Sequence, residues 1–360
     1  MTKHAFNSDY AGGFFPELLA ALERHNGEEL PGYGEDSYTY EAAEWIRTAC
    51  HSTEAAVHFV VGGTQANLLA VGASLRPYQG VIAAETGHIA SMETGAIEAL
   101  GHKVLTLPSY EGKVRAEDVK KLYLNHWGQP GHEHHVQPGM LYISQPTELG
   151  TTYSRAELEA LSQVCRNYGL IFYIDGARLL YSLCRPGNDL ELEDYAHLSD
   201  IFSIGGTKAG LLFGEALVFG RPDLARHFRY LIKQRGALLS RGRLLGIQFL
   251  SLLRDGLYQE GCSQALRYAS RLREAFCLAG QELLPGGDCN LIFVRMAEGE
   301  MRQLARGFIF EQVSREADGR YLLRFCTSTA TREEAVEALE KALGDLAAES
   351  LSGEVSGEPV

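Results

Sequence analysis

Short apolar runs alternate with longer amphipathic stretches between about residues 40 and 220. Runs of this length, separated by helical patterns, are typical of parallel β-strands joined by crossover helices. The sequence therefore predicts an α/β fold with a mostly parallel sheet that is covered by helices on both faces. The predicted strands are VHFVV (57–61), GVIAAE (80–85), KVLTL (103–107), MLYIS (140–144), LIFYID (170–175), IFSIGG (201–206) and EALVFG (215–220).

The pattern changes in the last third of the chain. Residues from about 223 to 283 are mostly helical in pattern, and the runs LIFVRM (291–296) and YLLRFC (321–326) that follow predict strands of a smaller α+β unit. We therefore expect a large domain over 1–240 and a small C-terminal domain over 241–346. The remainder, 347–360, is acidic and rich in serine and glycine, which predicts a disordered tail.

Two helix starts carry a capping-box sequence. Ser154 with Glu157 predicts the start of one helix, and Gly169 predicts its end. Thr331 with Glu334 predicts the start of the C-terminal helix in the same way.

Composition and charge limit the classes of partner. The 360 residues contain 33 basic and 46 acidic side chains, a formal net charge of −13. Nucleic-acid binding needs clustered positive charge, so no nucleic-acid partner is expected. No run of apolar residues is long enough to span a bilayer, and the start MTKHAFNSDY lacks the apolar stretch of a signal peptide. We expect a cytoplasmic protein without membrane contact, with its seven scattered cysteines reduced.

Unusual residues follow four of the predicted strands. In open parallel sheets, ligands bind beyond the carboxyl ends of the strands. GGTQAN (62–67) opens a helix, where free amides form a phosphate cradle or simply a tight turn. His88 is either a site imidazole or a structural residue. Asp175 ends an apolar strand and needs a cationic partner, for which the nearby Arg178 is the default.

Lys208 is the most informative residue of this group. It lies among small residues at a predicted strand end, whereas the other lysines lie near the chain start, beside turns or in polar helical stretches. Partial burial would lower the pKa of its ammonium group and make it a nucleophile, a candidate for a Schiff base with an aldehyde. A lysine, an acid and a phosphate site together are what pyridoxal 5′-phosphate (PLP) requires.

From about residue 6 to 330 the chain resembles the threonine aldolase and β-eliminating lyase family of fold-type I PLP-dependent enzymes. The resemblance implies a PLP-binding large domain of the transferase type and a smaller C-terminal domain. It rests on SDYAG (8–12), GYGED (32–36), GGTQAN (62–67), TGHI (86–89), ETGAIE (93–98), QPTELGTTY (145–153), YIDGARL (173–179), GGTKAG (205–210) and KQRGALLSRGR (233–243).

The resemblance implies a role for each residue that matches a family motif. Lys208 would carry the cofactor covalently, Asp175 would pair with the pyridinium nitrogen, and His88 would stack on the ring. Backbone groups of Gly63 and Thr64 would hold the phosphate.

Other positions would bind the substrate or complete the site. Arg178 and Arg324 would bind the substrate α-carboxylate, with Ser8 as a further contact, and Arg178 also belongs to the cofactor site. Tyr33, a substrate contact, and Arg241, a cofactor contact, match motifs that reach the site from a neighbouring subunit. The resemblance therefore implies a homodimer or homotetramer with shared active sites.

Two departures from the family pattern affect the substrate pocket. Many relatives have serine in place of Gly62 and a histidine or asparagine near Glu148. We expect the loop QPTEL to shape a different pocket while the cofactor assignment stays intact.

A histidine-rich loop precedes the strand MLYIS; its histidines are His126, His132, His134 and His135. A metal site is an alternative, but the loop lacks the i, i+4 helical spacing of paired ligands, and solvated side chains are expected. By its offset from Thr147, His135 matches a family histidine near the substrate hydroxyl. We therefore expect His135 to act as the base, with His88 as the competing candidate.

The expected activity is PLP-dependent cleavage of a β-hydroxy-α-amino acid to glycine and an aldehyde. L-Threonine, L-allo-threonine and phenylserine are the substrate types considered. A β-eliminating lyase would use the same residues on a substrate with a leaving group at Cβ. A more remote alternative is a metal-dependent lyase that uses the loop His126–His135, and a non-catalytic nucleotide-binding domain would leave Lys208 unexplained.

Overall fold

A computed structural model describes residues 3–287 and 289–355 of the chain. The strands are β1 (His4–Ala5), β2 (Ala56–Val60), β3 (Gln79–Ala84), β4 (Val104–Leu107), β5 (Gln137–Ser144), β6 (Ile171–Asp175), β7 (Ile201–Gly205), β8 (Glu215–Phe219), β9 (Glu282–Leu283), β10 (Leu291–Met296), β11 (Phe308–Ile309), β12 (Glu311–Arg315) and β13 (Tyr321–Cys326). The helices are α1 (Pro16–Arg24), α2 (Ser37–Ala49), α3 (Gly63–Ser74), α4 (His88–Ser91), α5 (Ala96–Ala99), α6 (Ala116–Gly128), α7 (Arg155–Tyr168), α8 (Leu179–Cys184), α9 (Leu192–Leu198), α10 (Phe228–Gln234), α11 (Arg243–Phe249), α12 (Leu257–Leu278), α13 (Glu298–Leu304) and α14 (Glu333–Val355).

Within the described residues, the predicted strands of the large domain form one seven-stranded sheet in the order β2-β8-β7-β6-β5-β3-β4. The sheet is parallel from β7 through β4, which confirms the mostly parallel α/β prediction. β8 is antiparallel to both neighbours. The connection 206–214 between β7 and β8 is too short for a crossover helix, so the chain returns in the opposite direction.

Alternate residues along the strands pack on opposite faces of this sheet. In β3, Ile82 belongs to one buried cluster, whereas Val81 and Ala83 belong to another. This alternation follows from the two-residue period of a β-strand. Side chains of α2, α7 and α11 cover the first face, and side chains of α3 and α10 cover the second.

The helix α7 begins and ends where its sequence predicts. The Ser154 hydroxyl accepts a hydrogen bond from the Glu157 amide, and the Glu157 side chain accepts one from the Ser154 amide. Gly169 ends the helix with φ = 65°, a left-handed conformation that glycine adopts without strain. The buried face of α7 packs over the sheet as part of the first cluster.

The C-terminal helix differs from its prediction at both ends. α14 begins at Glu333, and the Thr331 hydroxyl accepts a hydrogen bond from the Ser328 amide at 2.8 Å instead of capping the helix. The helix continues through 347–355, which we expected to be disordered, while 356–360 lie outside the described residues. No helix in the described ranges is both long and apolar enough to cross a membrane.

The small α+β unit contains the antiparallel sheet β12-β13-β10-β9 and the pair β1-β11. The long helix α12 connects it to the large domain. Cys262 and Ala265, in its first half, pack in a large-domain cluster, whereas Leu272 and Phe276 pack with Phe6 in the small unit. The exact boundary at 240 stays a prediction.

Candidate active site

The functional residues predicted at strand ends lie along one edge of the large sheet. β2, β3, β5, β6 and β7 run in the same direction, so their carboxyl ends share this edge. The turns and helix starts that follow these strands carry Gly63, His88, Glu148, Arg178 and Lys208.

Asp175 is held by hydrogen bonds from neutral donors. Its Oδ2 accepts from the Tyr142 hydroxyl at 2.7 Å and from Asn67 Nδ2 at 3.0 Å, and its Oδ1 accepts from the Ala177 amide at 2.9 Å. Burial and the charge of Asp175 raise the pKa of Tyr142, so the phenol stays protonated and donates. The expectation that Arg178 would pair with Asp175 is wrong, because Arg178 points to a different carboxylate.

His88 is oriented by a buried carboxylate. Its Nδ1 lies 2.7 Å from Oε1 of Glu93, and the same oxygen accepts a hydrogen bond from Asn67 at 2.8 Å. The hydrogen bond with Glu93 raises the pKa of His88. Asn67 therefore links the carboxylate next to His88 with Asp175, and the Tyr173 hydroxyl fixes Asn67 by donating to its Oδ1 at 2.7 Å.

Lys208 follows β7 in a turn and is partly buried. Its ammonium group forms no hydrogen bond or ion pair with a residue in the described ranges, although its backbone carbonyl accepts a hydrogen bond from the Tyr181 hydroxyl at 2.8 Å. Burial, followed by the charge of Arg178, lowers the pKa of Lys208. A lysine with a lowered pKa has a larger neutral fraction and is a better nucleophile toward an aldehyde.

Two glycines allow the Asp175 and Lys208 loops to approach each other closely. A Cβ on Gly176 would overlap the carbonyl oxygen of Ser203, and a Cβ on Gly205 would overlap the carbonyl oxygen of Ala177. Any larger residue would therefore push the two loops apart. The glycines of the DGAR and GGTK motifs place the carboxylate and the lysine in one site.

Arg178 forms a buried ion pair with Asp9, which lies in the segment before α1 (residues 3–15, the N-terminal arm). Its Nε and Nη2 donate to the two carboxylate oxygens at 2.6 and 3.2 Å, and Asn290 donates to Asp9 at 3.0 Å. Burial alone would raise the pKa of Asp9, but the charge of Arg178, the charge of Lys208 and the hydrogen bonds from Arg178 and Asn290 together lower it to about 2. The pair leaves Arg178 Nη1 without a hydrogen bond to any described residue.

Arg324 and Ser8 lie at the same N-terminal arm. Arg324 on β13 forms an ion pair with Glu311, and its Nη2 lies 3.5 Å from the carbonyl oxygen of Asn7. Its Nε is buried and has no hydrogen-bond partner among the described residues. Three residues predicted to bind the substrate carboxylate, Ser8, Arg178 and Arg324, are thus connected through residues 7–9.

The start of α3 is open, as a phosphate site requires. A Cβ on Gly62 or on Gly63 would meet no atom within 4 Å. The first amides of a helix have no partner within the helix and point outward with the positive end of its dipole. Gly63 and Thr64 supply such amides at the sheet edge, so an anion can approach their backbone closely.

His135 does not lie in this site. It is exposed and precedes the amino end of β5, whereas the site lies beyond the carboxyl end. A strand of eight residues separates the two ends by about 25 Å, so His135 cannot act as the base in the site of its own chain.

His126 and His132 pack as aromatic rings, and His126 is buried on α6 instead of being solvated as expected. The rings of His126 and His132 lie 5.8 Å apart and both contact Trp127. Among the described residues, no group of three or more His, Cys, Asp or Glu side chains is arranged to hold a metal ion. The described part of the loop therefore lacks the group of side chains that a metal-dependent lyase would need.

Tyr33 and Arg241 lie on the surface of the large domain. Tyr33 is 44% exposed and its ring lies 4.7 Å from the Lys233 ammonium. Its amide donates to the Ser240 carbonyl next to Arg241, which is also exposed. Neither side chain contacts Lys208 in the described structure.

Sequence reasoning missed several residues that build this site. Some lie within recognised motifs, as polar residues to which no role was given. Their position in a motif was the signal that could have identified them. Others have no local signal, because only the fold brings them to the sheet edge. The first group is Asp9, Asn67, Glu93 and Glu148, and the second is Tyr142, Tyr173 and Asn290.

The residues present fit PLP. Oδ1 of Asp175 accepts one hydrogen bond and keeps a lone pair for a pyridinium N–H. Lys208 is available for the aldehyde, and the amides at Gly63 and Thr64 are available for the phosphate. With the strand order of the sheet, these features define the class of fold-type I PLP-dependent enzymes.

Comparison with known proteins specifies the family within this class. Residues 9–320 match the family model of the β-eliminating lyases. The chain is 33% identical over 333 residues to a low specificity L-threonine aldolase of a Pseudomonas species, covering 90% of this chain and 94% of the relative. The chain belongs to the threonine aldolase and β-eliminating lyase family of PLP-dependent lyases, as the motifs predict.

Solved structures agree with this assignment. The structure of a Leishmania major threonine aldolase superposes with a TM-score of 0.92 at 41% identity, covering 96% of this chain and 99% of that one. Aspartate aminotransferase from Thermus thermophilus, at 15% identity, has a TM-score of 0.72 and covers 96% of this chain and 91% of that one. The second likeness confirms the fold type alone.

Proposed function

We propose that this protein uses PLP to cleave a β-hydroxy-α-amino acid of the threonine type to glycine and an aldehyde. The observation that carries the proposal is the convergence of Lys208, Asp175 and His88 at one sheet edge in a chain of this family. When bound, PLP supplies a conjugated electron sink for the carbanion that cleavage of the Cα–Cβ bond leaves.

Asp175 would keep a proton on the pyridine nitrogen, because three donors hold its charged carboxylate in a fixed position. His88 would stack on the ring, and Glu93 fixes the orientation of its imidazole. Lys208 would hold the cofactor through Nζ, and its lowered pKa would let this amine act as a nucleophile and carry protons.

Arg178, Arg324 and Ser8 orient the substrate. A guanidinium binds a planar carboxylate through parallel N–H groups, and Arg178 Nη1 remains for this contact. Holding the carboxylate would orient the bond of Cα that breaks, and orientation effects of this kind contribute up to about 7–11 kcal/mol to catalysis.

The second candidate is β-elimination, because the matching family model is that of β-eliminating lyases. It would use the same lysine, carboxylate and arginines on a substrate that carries a leaving group at Cβ. The products separate the two activities, since elimination releases ammonia and a keto acid instead of glycine and an aldehyde.

The experiment is product analysis with the PLP-loaded protein. L-Threonine, L-allo-threonine and phenylserine are each incubated with it, and glycine, aldehyde, ammonia and keto acid are measured. Equal amounts of glycine and aldehyde are expected. Ammonia and keto acid without glycine would overturn the aldolase proposal in favour of elimination, and no product from any substrate would overturn both.

The protein is further proposed to be a cytoplasmic homodimer or homotetramer in which Tyr33 and Arg241 reach a neighbouring site. Support comes from the exposure of both residues and from their proximity to each other on one surface. Sedimentation of the wild type and of Arg241→Ala, with the PLP dissociation constant of each, tests this. The proposal would be contradicted if the wild type sedimented as a monomer and Arg241→Ala bound PLP as tightly as the wild type.

A further inference from the structure

Glu148 is a partly buried carboxylate at this site, and the proposed mechanism gives it no role. It follows β5 at the carboxyl edge of the sheet, four residues after Ser144. Its Oε1 accepts a hydrogen bond from the His88 backbone amide at 2.9 Å and from the Ser144 hydroxyl at 2.5 Å. These contacts tie the carboxylate to the residue that lies against the cofactor ring.

The second oxygen of this carboxylate is available to a ligand. Glu148 Oε2 forms no hydrogen bond with a described residue. It is also not fully buried, so a ligand can reach it. The carboxylate is therefore anchored through Oε1, while Oε2 keeps some exposure and has no hydrogen-bond partner among the described residues. An anchored acceptor with one free oxygen is suited to binding a hydroxyl group.

The electrostatic environment favours a basic carboxylate. Burial raises the pKa of Glu148, and the negative charge of Asp175 adds to this, whereas Ser144 and His88 act in the opposite direction. General bases are most effective when their pKa lies near the working pH. His88 is less suited to this role, because Glu93 raises its pKa and so favours its protonated form.

We propose that Glu148 is the base that removes the proton from the β-hydroxyl of the substrate, with Ser144 and the His88 amide as positioning groups. The proposal rests on the proposed aldol cleavage. Oε2 takes the hydroxyl proton, and the O–H electron pair forms the second C–O bond of the aldehyde. The Cα–Cβ bond breaks and its electron pair stays with the glycine fragment, which later takes up one proton at Cα.

The test separates hydroxyl chemistry from the rest of the reaction. Glu148→Gln keeps the size of the side chain and an acceptor for the His88 amide but removes the base. Cleavage of L-threonine should fall by about a hundredfold or more, the usual contribution of a general base. Exchange of the glycine α-proton with solvent involves no hydroxyl and should change by less than about threefold.

Binding measurements distinguish a catalytic from a structural role. Glycine and L-2-aminobutyrate carry the amino and carboxylate groups of the substrate but no hydroxyl. Glu148→Gln should bind both, and PLP itself, with wild-type dissociation constants and should keep the wild-type melting temperature. Glu85→Gln, a change to an exposed glutamate after β3, is the matched control and should alter neither rate.

Each outcome decides the proposal. Equal losses of cleavage and exchange, or cleavage within about threefold of wild type, would overturn it. If Glu148→Gln does not fold, Glu148→Asp, which retains a base one methylene further away, should still lower cleavage more than exchange, and equal effects would refute the assignment. A wild-type protein that exchanges glycine protons but cleaves no hydroxy amino acid would overturn the proposed function and this inference with it.

Discussion

The Asp9–Arg178 pair offers a quantitative test of the site. Asp9 is fully buried, and both of its oxygens accept hydrogen bonds from Arg178. Lowering the pKa of Asp9 from 3.8 to about 2 corresponds to about 2.5 kcal/mol of stabilisation of its charged form. Removing one partner of a buried pair costs about 3–5 kcal/mol, because the other charge stays buried. We expect Asp9→Asn to lower the free energy of unfolding by about 2–4 kcal/mol.

The pH dependence of this effect has a definite sign. A carboxyl whose pKa is lowered in the folded state stabilises the protein above its unfolded pKa, and this stabilisation is lost as the pH falls through the folded value. The difference between wild type and variant should therefore be complete at neutral pH. It should shrink only as the pH falls from about 4 toward 2.

The assay is denaturant unfolding of the cofactor-free protein together with steady-state kinetics. Asp223→Asn is the matched control, because Asp223 also pairs with an arginine, Arg221, but is exposed; such a pair contributes about 0–1 kcal/mol. The KM for L-threonine should rise in Asp9→Asn, because Arg178 loses its fixed orientation. An Asp9→Asn protein with the stability and KM of the control would refute the reasoning.

Four further predictions follow from single residues. Lys208→Ala should leave no PLP attached after borohydride reduction, as mass spectrometry would show; residual attachment at another lysine would contradict the assignment. Asp175→Asn should bind PLP but lose about a hundredfold or more in turnover, a typical cost of removing one preorganised electrostatic group, and a near-normal rate would count against it. Glu93→Gln should lower the pKa of His88 in NMR titrations, because the Glu93 hydrogen bond raises it. In the wild type, protonated His88 stabilises the protein below pH about 6.5, and this contribution is lost as the pH rises through the raised pKa; in the variant it should be absent. An unchanged titration would be inconsistent with the contact. His135→Ala should leave cleavage and exchange within about twofold, as for other surface substitutions, and a selective loss of cleavage would restore His135 as the base.

The residues at strand ends could be predicted because they depend on local sequence and on one general property of parallel sheets. An apolar run predicts a strand, and the residue after it lies at the carboxyl edge whatever the rest of the chain does. His88, Asp175 and Lys208 were placed at this edge in this way, and the structure has them there. The glycines beside them carried a usable signal too, since close approach of two backbones excludes a Cβ.

His135 shows where this reasoning fails. Its role was inferred from its offset along the chain to Thr147, but β5 lies between the two residues. An extended strand rises about 3.3 Å per residue, so residues before and after it lie far apart at opposite ends of the sheet although they are close in sequence. The base therefore has to be sought at the carboxyl edge of the sheet, where both His88 and Glu148 lie.

The sequence by itself predicted the strands of the large sheet, their mostly parallel arrangement and three candidate residues for the cofactor chemistry. Only the tertiary structure decided which partners fix them. Asp9 meets Arg178 across 169 residues, and Asn67 meets Asp175 across 108. Such contacts leave no periodicity in the sequence, because each depends on how separate elements pack against each other and on which buried polar groups must satisfy one another's hydrogen bonds.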